Sequence, residues 1–284
     1  MQQYPQGPLV TFSPALRLQL RQYGLYCNQG VSIARNLKYN APVTIFEHSQ
    51  LVHMSIDAYS YVAQNCNLVL SSIGRYCSVA AGVEGGFGIH DIKCATTSAA
   101  VTTAHVFNSF SGQVKRFTRI ERERGEGSSS FKMGNDVWVG AHTYIVGDVT
   151  IGDGAVIGTG SVITRDVPPY AIVAGAGGGP NSERIIKGYR FSDEQISDLL
   201  ELQWWQYDLA KYLAAGHKIP LEDVDAFIRF MRSEGPEVLE KIPENWRLLI
   251  TQTDNQVQLV PITKDYEIGP QIPAELRHNP AYTC

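Results

Sequence analysis

The chain has 284 residues, enough for one large domain or two small ones, and its 24 basic and 28 acidic side chains give a formal net charge of −4. That charge gives no reason to expect a nucleic acid or an anionic membrane as a partner. No apolar run approaches the roughly 20 residues that span a bilayer, and the amino terminus lacks the basic-then-apolar pattern of a signal peptide, so we expect a cytoplasmic protein.

The chain has an odd number of cysteines, and no two of them have the CxxC spacing of a metal site. Two of them fall in places that a repeat, described below, reserves for small side chains. We therefore predict reduced core thiols, as expected in the cytoplasm, and no metal site, since the histidine spacing indicates no zinc cluster either. The cysteines are Cys27, Cys66, Cys77, Cys94 and Cys284.

Residues 1–42 show no repeat, and we interpret them as an amino-terminal lead-in. Residues 13–23 read SPALRLQLRQY, which fits a short amphipathic helix. Ser13 is placed to cap this helix, Pro14 suits its first position, and Gly24 suits its end.

A six-residue period then begins near residue 43 and continues to about residue 84. Ile56, Val62 and Leu68 follow one another at six residues, and Ile73 and Val79 continue the series after a slip of one residue. A helix repeats every 3.6 residues or so and a strand about every 2, so neither explains this period. A short strand, a corner and another short strand do explain it.

The period stops over residues 85–132, a segment that we call the excursion. It contains a glycine-rich turn with His90, a stretch of small residues with His105, and a charged run that starts at Lys115. A long non-repetitive segment inside a regular solenoid is usually either functional or disordered. The phenylalanines within it favour an ordered loop.

The period returns over residues 133–168, in the units MGNDVW, VGAHTY, IVGDVT, IGDGAV, IGTGSV and ITRDVP. The first place holds a large aliphatic residue or methionine, and the fifth holds a small or β-branched one. Stacked turns of this kind form a parallel β-helix with aliphatic ladders inside it. A β-sandwich is the alternative, and six units in register argue against it. We assign residues 43–180 to the β-helix.

Residues 181–284 predict a mainly helical extension with some strand. A capping box at Ser192 and Gln195 opens a helix, whose end we place at Gly216. A second helix is predicted over residues 221–233, and a hairpin around Asp254 and Asn255. We expect the helices to cover the open edge of the β-helix, since unpaired strand edges need a cover.

Five stretches together resemble the hexapeptide-repeat acyltransferases, and within them the xenobiotic acetyltransferase branch related to chloramphenicol and streptogramin acetyltransferases. The resemblance implies a left-handed parallel β-helix, a homotrimer, and active sites at subunit interfaces. The stretches cover about half of the chain and are IGRYCSVA (73–80), GIHD (88–91), GNDVWVG (134–140), VTIGDGAVIGTGSVITRDVPPYAIVAG (149–175) and F-x-x-x-x-I-x-x-LL-x-x-x-WW (191–205).

In this family a loop histidine deprotonates an acceptor hydroxyl, which then attacks the thioester of acetyl-CoA. An alcohol needs a base with a pKa near neutrality, and histidine supplies one. The resemblance assigns this role to His90, which follows the first coils as the family's histidine does. His105 is the rival base in the same excursion, and a histidine that only bonds its neighbours is the structural alternative.

The family lays the pantetheine arm of coenzyme A between adjacent coils. By match, Ala141, Thr159 and Thr164 line this arm. Arg165 lies near the phosphates, at a place where the family usually has lysine. Trp138 is placed near the thiol end, with packing at a coil corner as its structural alternative.

One departure from the family concerns the nucleotide end of coenzyme A. The family commonly has a GxPAK sequence soon after the YAIV strand, whereas this chain reads GAGGGPNSERIIKGYRF. We expect Arg184 or Lys187 to replace the missing lysine.

The sequence therefore predicts an acetyl-CoA-dependent O-acetyltransferase for a small hydroxylated acceptor, such as a sugar or natural product. One alternative is N-acylation of a nucleotide-linked amino sugar, whose phosphates would meet arginines of the excursion. The glutamates in the same run favour a solvated strip instead. A catalytically silent β-helical scaffold is the alternative from another class.

Overall fold

The computed structural model describes residues 9–87, 95–98, 131–176, 186–267 and 283–284. Strand β1 (Leu9–Thr11) is followed by helix α1 (Pro14–Gln22), which Ser13 caps by accepting a hydrogen bond from the Leu16 amide. The amino-terminal helix is therefore confirmed. The first block of strands comprises β2 (Leu25–Cys27), β3 (Ser32–Asn40), β4 (Val43–Ile45), β5 (Gln50–Ile56), β6 (Ser60–Val62), β7 (Asn67–Val69), β8 (Ser71–Ile73), β9 (Ser78–Val79) and β10 (Glu84–Phe87).

A second block of short strands follows the excursion and continues the same stack. It comprises β11 (Phe131–Met133), β12 (Trp138–Val139), β13 (Tyr144–Val146), β14 (Val149–Ile151), β15 (Val156–Ile157), β16 (Val162–Ile163) and β17 (Ala171–Val173).

These strands form three faces of a parallel β-helix with about six coils. The first face stacks β2, β4, β6, β9, β12, β15 and β17. The second stacks the first halves of β3 and β5 with β7, β10, β13 and β16. The third stacks the second halves of β3 and β5 with β8, β11 and β14. The predicted mainly β architecture is confirmed.

Each face contributes one ladder of side chains to the interior, because equivalent residues of successive coils pair in register. All residues of these ladders that carry a side chain are buried. The ladders are Cys27, Ile45, Val62, Val79, Val139, Ile157 and Val173 on the first face; Ile33, Leu51, Leu68, Gly85, Ile145 and Ile163 on the second; and Tyr39, Ile56, Ile73, Met133, Ile151 and Val167 on the third.

We define the corners by the faces that they join. The first corner lies between the first and second faces and includes residues 80–83, 140–143 and 158–161. The second corner lies between the second and third faces and includes residues 147–148 and 164–166. The third corner leads to the next coil and includes residues 57–59, 74–76, 134–136 and 168–170. At the first corner Gly140 is needed, because a Cβ there would lie 2.5 Å from the backbone nitrogen of Thr159 in the next coil.

The stack begins one coil earlier than the sequence predicts. Strands β2 and β3 pair in parallel with β4 and β5, so the first coil starts at Leu25 and not near residue 43. The period is hard to see there because β3 is nine residues long and its register shifts between Ala34 and Leu37. The segment predicted as a lead-in therefore contains a full coil.

The excursion is also shorter than predicted, since β10 still pairs with its neighbours up to Phe87 and β11 rejoins the stack at Phe131. The period is hidden because Gly85 occupies the ladder position of the second face. A Cβ on Gly85 would lie 2.7 Å from the ring of Phe131, which is fully buried. One large ring thus fills the space that the missing side chain leaves.

The carboxyl-terminal extension comprises strand β18 (Ile186–Tyr189), helices α2 (Asp193–Leu202), α3 (Leu209–Ala214), α4 (Val224–Ser233) and α5 (Gly235–Val238), and strands β19 (Trp246–Thr253) and β20 (Gln256–Pro261). The capping box at Ser192, the second helix and the hairpin are confirmed. The first helix does not reach Gly216. It ends at Leu202, where Gln203 takes a left-handed conformation (φ 46°) and a 3₁₀ turn, Trp204–Gln206, begins.

Along β3, the open edge of the first coil is covered by strands, and not by the carboxyl-terminal helices as predicted. Strands β1 and β19 both pair antiparallel with β3, and at the other end β18 pairs antiparallel with β17. A strand supplies the donors and acceptors that an exposed edge lacks, which a helix does not. The helices pack against the third corner, where Tyr59 donates to Asp208 (2.7 Å) and Tyr76 donates to the Tyr207 carbonyl (2.8 Å). Within the described ranges, no helix has the length and apolar character needed to cross a bilayer.

A buried ion pair joins two coils at the third corner and yields a stability prediction. The Arg75 side chain is 5% exposed and its Nε donates to Asp57, which is 9% exposed, at 3.1 Å. We expect Asp57→Ala to lower the free energy of unfolding by about 3–5 kcal/mol, because it leaves a buried cation poorly compensated. Chemical denaturation measures this loss.

The matched control is Glu240→Ala, which breaks the exposed ion pair with Lys211. Exposed pairs contribute little, so this variant should unfold at the same denaturant concentration as the parent. Equal stability of both variants and the parent would contradict the structural role of the Asp57–Arg75 pair.

Candidate functional site

Five of the six predicted cofactor residues that the structure describes lie around the second face. Trp138, Ala141 and Thr159 lie at or beside its first corner, and Thr164 and Arg165 lie at its second. Between the corners runs β16, so that Thr159 and Thr164 lie at opposite ends of one face of the same coil. The residues therefore form an elongated set along one edge of the last coils.

At the first corner, Ala141 and Thr159 belong to neighbouring turns of the stack. The Gly160 amide donates to the Ala141 carbonyl (2.8 Å), and the His142 amide donates to the Ala81 carbonyl of the coil before (2.9 Å). Thr159 is exposed and Ala141 is half-buried. His142 is exposed beside them. The fifth-place residues of these two units, Thr143 and Ser161, are fully buried, as the repeat predicts.

At the second corner, the side chain of Thr164 carries a buried hydroxyl oxygen. Its Oγ1 is buried and has no hydrogen-bond partner among the described residues. Buried polar groups are nearly always hydrogen-bonded, so such an oxygen marks a place where a ligand or water supplies the partner. The next residue, Arg165, is exposed, and the one after it, Asp166, accepts a hydrogen bond from the Thr150 amide (2.7 Å).

The excursion leaves the stack on the same side of the molecule. Phe87, the last residue of β10, pairs with Val146 in the neighbouring coil. Strand β13 pairs with β16 in continuous register, Tyr144 with Val162 and Ile145 with Ile163. The next residues in that register are Val146 and Thr164, so Thr164 lies one coil beyond Val146. The second corner therefore carries both the unsatisfied hydroxyl and the point of departure of the excursion.

Trp138 lies on the outer side of the first face and is 53% exposed. Its neighbours in register are Ser78 and Val156, which leave the indole uncovered on both sides. Packing in a corner, the structural alternative, is therefore excluded within this chain. Tyr26 and Tyr61 are the other large exposed side chains in the same column, one in the first coil and one in the third.

Of the remaining predicted residues, the structure describes only Lys187. Lys187 is exposed on β18, the strand that pairs with β17 after the last coil. His90 and Arg184 lie outside the described residues, as does His105. Among the residues that the structure describes, no three His, Cys, Asp or Glu side chains are grouped as metal ligands would be.

The sequence reasoning missed the surface between the two corners. Tyr144 and Val162 pair in register on the outer side of the second face, and Tyr144 is 46% exposed. The signal was available, because each residue directly precedes a ladder residue and must therefore face outward. These two side chains form the floor between Thr159 and Thr164.

The sequence matches a known family and several known proteins. The family described as bacterial transferase hexapeptide (six repeats) matches residues 132–165. A probable macrolide acetyltransferase from Lysinibacillus sphaericus is 37% identical over 136 residues, which are 48% of this chain and 68% of that protein. The chain belongs to the hexapeptide-repeat acyltransferases.

Two further relatives in this family are chloramphenicol acetyltransferases. The one from Klebsiella aerogenes is 37% identical over 143 residues, 50% of this chain and 62% of the relative. The one from Agrobacterium fabrum is 43% identical over 102 residues, 36% of this chain and 46% of the relative. This hexapeptide-repeat protein thus spans less than two thirds of the length of these two relatives.

The unsatisfied hydroxyl of Thr164 yields a second prediction. We expect Thr164→Val to raise the free energy of unfolding by about 1 kcal/mol, because it replaces an unpaired buried oxygen by a methyl group of similar size. Urea denaturation measures the change, with Thr159→Val as the control at an exposed threonine. A clear loss of stability in Thr164→Val alone would show that the hydroxyl has a partner within the protein.

Proposed function

We propose that the chain is an acetyl-CoA-dependent O-acetyltransferase that acts on a small hydroxylated acceptor, a sugar or natural product, with His90 as general base. Membership in the hexapeptide-repeat acyltransferases carries the proposal of acyl transfer. The place of the excursion carries the proposal for His90. Only three peptide links separate His90 from Phe87, and three extended residues span at most about 11 Å.

The distance from Phe87 to the proposed cofactor residues is of the same size. Strands of neighbouring coils are about 4.8 Å apart, so Thr164 lies about 10 Å from Phe87 across two coils. The chain therefore tethers His90 near the second corner, where Thr164 and Arg165 lie. A histidine at the start of the excursion is better anchored to this edge than His105, which follows fifteen residues later in the sequence.

In the proposed reaction the imidazole of His90 accepts the proton of the acceptor hydroxyl. The hydroxyl oxygen attacks the carbonyl carbon of the thioester, and the carbon–sulfur bond breaks. The proton passes from the imidazolium to the departing thiolate, so that the products are the acetyl ester and free coenzyme A. A base of this kind contributes typically about 10²- to 10⁴-fold to the rate.

We further propose that coenzyme A lies along the elongated set of residues on the second face. Ala141, Thr159 and Thr164 line the pantetheine arm, and the Thr164 hydroxyl gains the partner that the protein lacks. Arg165 meets the phosphates, with Arg184 or Lys187 at the nucleotide end. Trp138 lies near the thiol end in this proposal, on the uncovered first face.

A homotrimer fits the exposed aromatic column on the first face. Tyr26, Tyr61 and Trp138 present large rings to solvent in an isolated chain, and contiguous exposed apolar surface marks interaction sites. We propose that a second copy covers this column. The cytoplasm remains our proposal for the location, since the described cysteines are free thiols.

The catalytic proposal is tested by thiol release from acetyl-CoA. The acceptor panel contains chloramphenicol, a macrolide, free hexoses and a nucleotide-linked amino sugar. We expect His90→Ala to lower kcat by about 10²- to 10⁴-fold for the best acceptor, because it removes the general base.

His105→Ala is the matched control in the same excursion and should retain most of the activity. Loss of activity in His105→Ala with retention in His90→Ala would move the base to His105. Thiol release with the amino sugar alone would replace O-acylation by N-acylation.

The cofactor proposal is tested by calorimetry with coenzyme A. We expect Arg165→Ala to raise the dissociation constant about tenfold, because it removes a charge-assisted contact to phosphate, and Arg165→Lys to recover part of the loss. Lys132→Ala removes an exposed cation on the third face and serves as the control. Failure of the parent protein to bind coenzyme A would favour the silent scaffold.

A further inference from the structure

A cavity lies at the third corner, away from the proposed cofactor site on the second face. A cavity of about 210 Å³ opens between the coils and the carboxyl-terminal extension. The coils supply Asp57, Arg75 and Asn135, and the extension supplies residues from the 3₁₀ turn, from the segment before β19 and from the segment after β20. Nothing in the proposed acetyl transfer uses this cavity.

The floor of the cavity is a set of charges, of which Arg75 and Asp57 are buried and Glu244 is half-exposed. Arg75 is 4% exposed, and its guanidinium donates from Nε to Asp57 Oδ2 (3.1 Å) and from Nη2 to Glu244 Oε1 (2.5 Å). Asp57 also accepts from the Asn40 amide (2.9 Å), which fixes its carboxylate. These bonds hold the charged groups in place before any ligand arrives.

The positive and negative side chains around the cavity are equal in number, so the cavity does not favour a charged ligand. Two cations, Arg75 and Lys264, face two carboxylates, Asp57 and Glu244. The Lys264 ammonium lies 3.9 Å from Glu244 at the exposed side of the cavity. An anion would meet both carboxylates and a cation would meet both bases, so each would lose as much as it gains. A neutral ligand with hydroxyl groups can accept from the bases and donate to the acids.

Glu244 is an acceptor at neutral pH. Burial pushes the pKa of its carboxyl upward, but hydrogen bonds from the Trp246 indole (2.6 Å) and from Arg75 outweigh burial and hold the pKa below its usual value. The carboxylate therefore stays ionised and offers its remaining lone pairs to a hydroxyl group.

The walls add neutral polar groups and one aromatic ring. Gln206 donates through its side-chain nitrogen to the side-chain oxygen of Gln203. That bond does not use the side-chain oxygen of Gln206 or the side-chain nitrogen of Gln203. Trp205 is 6% exposed and lines the same cavity. An indole offers a flat apolar face together with one N–H donor.

We propose that this cavity binds one neutral, polyhydroxylated six-membered ring, the size of a single monosaccharide or cyclitol. The volume is sufficient, because an apolar cavity of about 150 Å³ accepts a benzene ring. Hydroxyl groups match the acids, bases and amides that line the cavity. The site is separate from the proposed acetyl-CoA site on the second face.

Binding in this cavity would also fasten the extension to the coils. The lining residues come from segments far apart in the chain, and a ligand that contacts all of them is bound only when the extension is docked. Such a ligand stabilises the docked form by mass action. The site therefore fits a molecule that regulates stability or is held beside the enzyme, and its function does not depend on the proposed catalysis.

The test uses saturation-transfer NMR on the full chain with D-glucose and myo-inositol as probes. We expect a saturable signal from at least one of them, and none from maltose, whose second ring exceeds the cavity. The variants Gln206→Leu and Glu244→Gln should each weaken binding about tenfold, and circular dichroism verifies that they fold. The control is Glu237→Gln, an exposed residue of α5 outside the cavity.

A saturable signal that either cavity variant weakens, and that Glu237→Gln leaves unchanged, supports the proposal. Absence of a saturable signal from both probes with the folded parent overturns it, and so does a signal that both cavity variants leave unchanged. Calorimetry with coenzyme A on the same variants separates this site from the cofactor site, because its result should not change.

Discussion

Each coil of this protein points its backbone donors and acceptors along the helix axis, where only the neighbouring coils can pair them. Each strand of the interior coils accordingly bonds to strands of the coils before and after it, and the ladder side chains stack in the same register. A coil therefore has no stability of its own, and the array is stable as a sum of interfaces. The two ends need special cover, which β1 and β19 provide at the first coil and β18 at the last.

This constraint explains how the excursion is tolerated. The chain leaves after Phe87 and returns at Phe131, both of which are in strands that pair on each side. Gly85 gives up its ladder side chain and the buried Phe131 ring fills the space. The stack is therefore continuous across the insertion, and the insertion is free to carry chemistry. The proposed base follows Phe87 by three residues in the sequence, and the proposed cofactor residues Thr164 and Arg165 lie at the corner from which the insertion departs.

The third corner shows a different use of the same regularity. Tyr59 and Tyr76 occupy equivalent places in successive coils, both with positive φ, and their rings stack at 5.1 Å. Their hydroxyl groups bond to Asp208 and to the Tyr207 carbonyl, so the repeat itself provides a regular docking surface for the extension. Arg75, one residue before Tyr76, is buried by that docking and forms the floor of the proposed ligand cavity.

The sequence alone determined the parallel β-helix, the buried first and fifth places of each unit, the capping box at Ser192 and the hairpin at Asp254. These features depend on residues within a few positions of one another, so a local period or motif shows them. The family resemblance, and not the period, singled out Ala141, Thr159 and Thr164. His90 stays a prediction, carried by the family resemblance and by its short tether to Phe87.

Only the tertiary structure decided where the stack begins, how its edges are covered and which groups line the third-corner cavity. Strand β19 pairs with β3, and Glu244 meets Arg75, across most of the length of the chain. No period links such residues, because their contact depends on how the extension folds back and not on local spacing. The helix that Ser192 caps ends at Leu202 for a related reason, since Trp204 packs against the distant rings of Tyr76 and Phe227 and tertiary packing overrides the local helical pattern.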